Sequence, residues 1–326
     1  MAAPLADRPD LRLRPATSAD RDAVADLICL STNFWYQASG RPRIFTAGPE
    51  PCGLFWDVYD ALDPGCCVVA EDARTGHLAG SCFYHPRDTH VSLGIMNAHP
   101  NHFGRGVAGR LLRFVTDLAD AAGLPTRLVS SAVNLDSYAL YTRAGFVPGA
   151  IYQDMVVPPA RVAAGLTGTD EMDLAAARAR PATPADVPAI VDLEWRVARI
   201  RRPGDWQHFV NNAAGVWRVS VLDRVGGGID GALAAVDHPG STMLGPGVMA
   251  DDAAAAALIA AELRRQAAGP RRDVSPVFLV PADRPALVRQ VYAWGGRNVE
   301  LHVHQVRGDY QPPTGVAMPT FMPETA

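Results

Sequence analysis

The chain has 326 residues, 48% of them hydrophobic and 20% charged, with a net charge of −4 and a pI near 6.1. That length favours two domains over one, and the balance excludes a disordered chain and a nucleic-acid binder that works through bulk charge. All thirty basic residues are arginine, which rules out any chemistry needing a lysine side chain.

The opening stretch, MAAPLADRPDLRLRP, is too polar for a signal peptide, and no run of about 18 apolar residues follows, so no membrane span is expected and the cytoplasm is the expected compartment. The five cysteines (Cys29, Cys52, Cys66, Cys67 and Cys82) are odd in number and contain no C-x-x-C spacing. Neither a disulfide framework nor a metal site is expected from them.

In chain order, a strand over 11–14 leads to Thr17, a helix cap with Asp20 three residues on, and a helix from 18 to about 30. The next stretch, STNFWYQASGRPRIF, reads as a second helix or a loop. Its Trp35 and Tyr36 suit an aromatic wall for a substrate and suit core packing equally well. Strands over 66–71 and 78–84, joined by the turn DARTGH, precede a strand over 90–98. The segment SLGIMNAHPNHFGRGVAGRLLRFV (92–115) then carries a strand into Gly104-Arg105-Gly106-Val107-Ala108-Gly109 and a long helix over 106–122. Small residues let a backbone approach a phosphate, and the first N–H groups of a helix favour an anion. Alone, the turn is equally compatible with an ordinary glycine-rich connection. A buried strand over 126–133 and a helix over 136–144 follow.

RPATSADRDAVADL (14–27) recurs as RPATPADVPAIVDL (180–193), so the same strand end, threonine cap and helix are encoded twice. The reading divides the chain into 1–160, a connector over 161–178, and 179–326. In the later copy Gly247-Val248-Met249 echoes Gly94-Ile95-Met96, but DDAAAAALIAAELRRQ follows with no glycine turn, and Asp251 and Asp252 would repel phosphate. Gly226–Gly228 are followed by a strand and read as a hairpin. Tyr292 stands where Tyr141 stood, with Pro285 in place of an asparagine. The tail over 311–326, with four prolines, is expected to lie extended on the surface.

Gly106 and Ala108 in the turn, together with Asn134, Tyr141, Gly145 and Phe146 in NLDSYALYTRAGF, resemble the GCN5-related N-acetyltransferase (GNAT) family over about residues 10–157. The resemblance implies an α/β (α+β) fold: a mixed, mostly antiparallel sheet flanked by helices, present here in two copies, the second degenerate. It implies acetyl-CoA as cofactor. The backbone from Gly104 through Arg105, Gly106, Val107 and Ala108 to Gly109 would hold the pyrophosphate, Met96 and Ala98 would pair with the pantetheine arm, and Asn134 would bond that arm. Tyr141 would protonate the departing thiolate. Two departures stand out. Phe103 replaces the family's Arg or Gln, and Ser92 and Gly94 occupy the strand positions where a glutamate base is common. His90, His99 and His102 are alternatives, with His90 taken as the catalytic candidate beside Tyr141.

The implied activity is N-acetylation of a small-molecule primary amine by direct attack on the thioester. Protein amines are the next acceptors, a non-catalytic acyl-CoA sensor is the main alternative, and another acyl chain or a decarboxylation is a third reading. No nucleic-acid or membrane partner is implied, and a homodimer is the commonest prior for the assembly.

Overall fold

The computed structural model describes residues 10–166, 168 and 176–322. They form two compact units. The first takes residues up to Pro86 together with Val91–Leu124, and the second takes Arg87–His90 and the chain from Pro125 onward.

In the first unit β1 (Leu11–Pro15) leads through a 3-10 turn (Ser18–Asp20) into α1 (Arg21–Ala38). The turn is a polar clamp. Both guanidinium Nη atoms of Arg14 donate to the Asp20 carboxylate at 2.8 Å, and Asp20 Oδ2 also accepts from the Thr17 backbone N–H at 2.8 Å. Helix α1 runs eight residues past the end expected near residue 30. No glycine or proline interrupts it before Gly40, and Asn33 on its inner face binds the returning loop: its Oδ1 accepts from the N–H groups of Ile44 and Phe45, and its Nδ2 donates to the Phe45 carbonyl. The STNFWYQA half of the segment is therefore helix and the rest is loop. Then come α2 (Gly53–Leu62), β2 (Cys67–Asp72), β3 (Leu78–Pro86), β4 (Val91–Ala98) and α3 (Val107–Ala122).

The four strands pair antiparallel in the order β1-β2-β3-β4. Successive side chains of β3 face opposite ways. Phe83 and His85 meet Tyr59 of α2, with ring centroids 4.8 and 4.7 Å apart, while Tyr84 meets Phe114 of α3 at 5.8 Å. The sheet is thus covered on both faces.

The second unit holds β5 (Thr126–Ser131), α4 (Leu135–Arg143), β6 (Val147–Val156) and α5 (Pro159–Ala163). Beyond the undescribed residues it continues with β7 (Ala179–Pro181), α6 (Val187–Ala198), α7 (Pro203–Asn211), β8 (Trp217–Asp223), β9 (Ile229–His238) and β10 (Ser241–Met249). It ends with α8 (Asp252–Ala268), β11 (Val277–Pro281), α9 (Pro285–Ala293), β12 (Arg297–Arg307) and β13 (Val316–Met318). The repeated motif folds the same way twice: Arg180 grips Asp186 at 2.8 and 2.9 Å, and Asp186 Oδ2 accepts from the Thr183 N–H at 2.7 Å. Gly226–Gly228, all at positive φ, turn the β8–β9 hairpin as the sequence implies.

Here the sheet order is β5-β12-β6-β11-β10-β9-β8-β7. The last strands of the two sequence repeats have changed places: β12 pairs with β5, and β6 pairs with β11, both antiparallel. His304 on β12 lies opposite Val129 on one side and Ala150 on the other. This exchange is why the boundary between compact units falls after Leu124, whereas the sequence repeat begins anew near residue 179. Part of the expected connector over 161–178, residues 167 and 169–175, lies outside the described residues.

The tail corrects its sequence reading. Strand β13 pairs antiparallel with β10 (Gly247↔Met318, Met249↔Val316), and Val316, Met318, Thr320 and Met322 are buried. Alternate residues from 316 to 322 form a period-two buried face that the flanking prolines disguise. Among the described residues no helix is long and apolar enough to cross a membrane.

Candidate active site

In the first unit the candidate site is built on β4 and the turn that follows it. Cys82 pairs with Met96, but Tyr84 pairs with Leu93, so β4 spends three steps where β3 spends two. The extra residue makes a bulge at Gly94–Ile95, a device that re-aims a strand end. A side chain at residue 94 has no room there, since a Cβ on Gly94 would lie 2.9 Å from His85 Nε2 and 3.2 Å from Phe83 Cβ. Beyond the bulge Ser81 faces Asn97, and the His99 N–H donates to the Ala79 carbonyl at 2.8 Å. Backbone groups alternate along a strand, so those of Met96 and Ala98 point away from β3. Asn97 Nδ2 donates to Ser31 Oγ at 2.6 Å and Ser31 Oγ to the Leu27 carbonyl at 2.7 Å, which ties β4 to α1.

A 3-10 turn (Pro100–His102) then leads to Phe103 and the glycine turn. Gly104 and Gly106 sit at φ +75° and +83°, the left-handed region glycine enters without strain, and a Cβ on either would meet nothing within 4 Å. Gly106 caps α3 with no side-chain hydrogen bond. The N–H groups of Val107, Ala108 and Gly109 belong to the first helical turn and have no intrahelical acceptor. They lie at the positive end of a sixteen-residue helix. Val107, Leu111, Leu112 and Val115 bury the other face of α3 against the sheet. Burial lowers the His102 pKa, and the nearby Arg105 lowers it further, so Arg105 is the charged side chain of the turn near neutral pH. Phe103 is 44% exposed and packs edge-on against Phe34 of α1, ring centroids 5.6 Å apart.

Alongside lies an open groove of about 660 Å³, with Leu30 and Phe34 on its floor and Asp26, Arg43, His77 and His99 around it. Trp35 and Tyr36 are half-buried on the last turn of α1, packed edge-on against each other at 4.9 Å, and do not line this groove.

In the second unit Asn134 caps α4, its Oδ1 accepting from the Ser137 N–H at 3.1 Å. That fixes the side chain and leaves its Nδ2 as a donor. Tyr141 is 6% exposed, its ring 5.9 Å from Phe146. His90 is fully buried, with Nδ1 3.0 Å from Thr89 Oγ1. A base must reach the proton it takes, and no face of His90 is open to one in this structure.

The second copy departs from the first at each corresponding point. Where β4 is followed by a glycine turn, β10 is followed by Asp251, whose Oδ1 accepts from the Ala254 N–H at 2.8 Å and caps α8 with a carboxylate. The edge of β10 over Gly247–Met249, the echo of Gly94–Met96, is taken by β13. A Cβ on Gly315, at the entry to β13, would collide with the Met249 carbonyl.

Residues 32–146 match the family model described as the acetyltransferase (GNAT) family. Over that segment, about a third of the chain, the sequence is similar to the GNAT family. No curated protein matches the sequence. A Pyrococcus horikoshii protein assigned as an acetyltransferase is similar over 99% of both chains, with 11% identity and a TM-score of 0.71. A GCN5-related N-acetyltransferase from Sphaerobacter thermophilus is 16% identical over 95% of this chain and 100% of its own, with a TM-score of 0.60. A tandem GNAT protein from the clavulanic acid biosynthesis pathway is 15% identical over 94% and 100%, with a TM-score of 0.63. At these identities the structural likeness establishes the fold, a tandem GNAT architecture.

Proposed function

We propose that this chain is an acetyl-CoA-dependent N-acetyltransferase whose acceptor is a small-molecule primary amine. The observation that carries the proposal is the open, positive-φ turn at Gly104–Gly106 leading into an uncapped α3, directly after a bulged β4. The turn fits a pyrophosphate: the space in front of both glycines is clear, and the donors of Val107, Ala108 and Gly109 lie at the helix start with Arg105 at hand. Met96 and Ala98 would pair with the pantetheine arm through the backbone groups that β3 does not use. When bound, acetyl-CoA supplies an acyl group activated as a thioester.

The chain's own residues then hold and move protons. Asn134 would offer its Nδ2 to the cofactor arm, and Tyr141 would supply a proton to the departing sulfur and be reprotonated from solvent. With His90 buried, the proton shed by the amine goes to solvent. The groove of about 660 Å³ beside Phe34 suits a small acceptor, and Asp26 at its side offers a carboxylate to a cationic amine. The second copy supports a single cofactor site per chain, since its helix start carries Asp251 and its strand edge carries β13.

The second reading, an acyl-CoA-binding module without turnover, is favoured by the near-complete burial of Tyr141. A thiol-release assay with acetyl-CoA and a panel of small amines separates the two. Amine-dependent release of CoA with formation of the amide supports the transferase. Binding without release supports the module, and release without any amine contradicts acetyl transfer to nitrogen.

A further inference from the structure

The second unit holds a partly open, mostly apolar-walled cavity of about 40 Å³, edged by several polar side chains, that the transferase reading does not use. That is room for one to a few water-sized groups and is far too small for a coenzyme. Arg127 of β5, Tyr152 of β6, His304 of β12, Tyr310, and Glu194 and Arg202 near α6 line it.

The charges around this cavity do not cancel. Glu194 is committed: its Oε1 accepts from Arg202 Nε at 2.9 Å and Nη2 at 2.7 Å, and its Oε2 accepts from Trp206 Nε1 at 3.0 Å. Arg127 is only 5% exposed, on a strand paired along its length with β12. Its Nε is buried without a hydrogen-bond partner, and its one marked contact is with the face of Tyr310, 5.9 Å from the ring centroid. His304, 5% exposed, also leaves Nδ1 unbonded, and burial first, then the Arg127 charge, pushes its pKa down to about 3, so its ring is neutral. A buried guanidinium without an acceptor is costly, and a buried charge is ordinarily matched by a counter-charge. Among the described residues that line the cavity, one cation is left over, and a cavity of ion size adjoins it.

We propose that this cavity is a binding site for a small monovalent anion, a halide or a short carboxylate, held by Arg127 with the Tyr152 and Tyr310 hydroxyls as further donors. The site is independent of the acetyl-CoA turn and stands or falls separately from the transferase reading. A ligand that binds only the folded chain raises its unfolding temperature with a saturating dependence on concentration.

The test uses the full chain at constant ionic strength, with bulky gluconate replaced stepwise by chloride in one series and by formate in another. The proposal expects Tm to rise by several degrees and level off, with the anion that saturates at lower concentration identifying the class the site prefers. It expects the rise to vanish in Arg127→Met, which keeps a long side chain without the charge. An unchanged Tm in both series, or the same rise in Arg127→Met, overturns it. If Arg127→Met does not fold, crystals of the wild-type chain soaked in bromide and in formate decide: either anion bound between Arg127 and His304 supports the site, and the absence of both there overturns it.

Discussion

Gly80 on β3 lies so close beneath Val107 at the start of α3 that a Cβ built on the glycine would fall 2.6 Å from Val107 Cγ1 and 2.8 Å from the Asn97 carbonyl oxygen. This contact seats the first turn of α3 against the end of β4, and a side chain at residue 80 would push the helix start off the sheet. Gly80→Val is expected to cost about 1–3 kcal/mol by overpacking. It should also weaken acetyl-CoA binding more than a substitution of equal stability cost elsewhere in the first unit. Thermal unfolding and calorimetry on both variants check this, and equal weakening by the two would detach the Gly80 contact from the site.

The Arg14–Asp20 clamp gives the first unit a defined acid response. Chiefly through its hydrogen bonds with Arg14, and further through the Thr17 N–H, the Asp20 carboxyl is held at about 2, below its usual 3.8. The folded pKa is depressed, so the contribution is fully present above the unfolded value and is lost as pH falls through 3.8 toward 2. Arg14→Met should lower stability by about 1–3 kcal/mol near neutral pH and flatten the pH dependence in that window. Urea unfolding at several pH values measures both effects. Arg180→Met should act alike in the second unit, because hydrogen bonds from Arg180 hold Asp186 lower still.

Tyr141→Phe separates chemistry from folding. The ring is buried against Phe146, and phenylalanine keeps that packing, so stability should change by less than about 1.5 kcal/mol. If the phenol donates the proton to sulfur, kcat should fall by roughly 10²–10⁴-fold while acetyl-CoA affinity is kept. Unchanged kcat would leave the leaving group to solvent.

The tail carries a large share of the second unit's stability. Met318 is 1% exposed, paired opposite Gly247, so Met318→Ala should cost about 2–5 kcal/mol, whereas a surface tail would show almost no effect. Denaturant unfolding of that single variant decides between the two.

Much of the fold was legible in the chain. Arg14, Thr17 and Asp20 announce their clamp, and Arg180, Thr183 and Asp186 announce its repeat, because caps depend on residues three to six apart. The glycine turn at 104–106 was legible for the same local reason. The exchange of β6 and β12 was not: both strands follow a tyrosine-bearing helix and a glycine, and nothing local says which partner each takes. The tail was misread because prolines 312, 313 and 319 hide the alternation of Val316, Met318 and Met322. Tyr141 is marked by the motif from Asn134 to Phe146, but its burial, like that of His90, depends on neighbours distant in sequence. The same is true of Arg127, which gives no local signal that it lacks a carboxylate.

The most direct measurement is acetyl-CoA binding by titration calorimetry to the wild-type chain and to Gly106→Glu. The substitution places a carboxylate in the open space before α3 and costs only about 1–2 kcal/mol of backbone strain, so the variant should still fold. The account predicts binding by the wild type, and in the variant a loss of at least about tenfold, equivalent to 1.4 kcal/mol. Binding of equal strength in both, or none by the wild type, would contradict it.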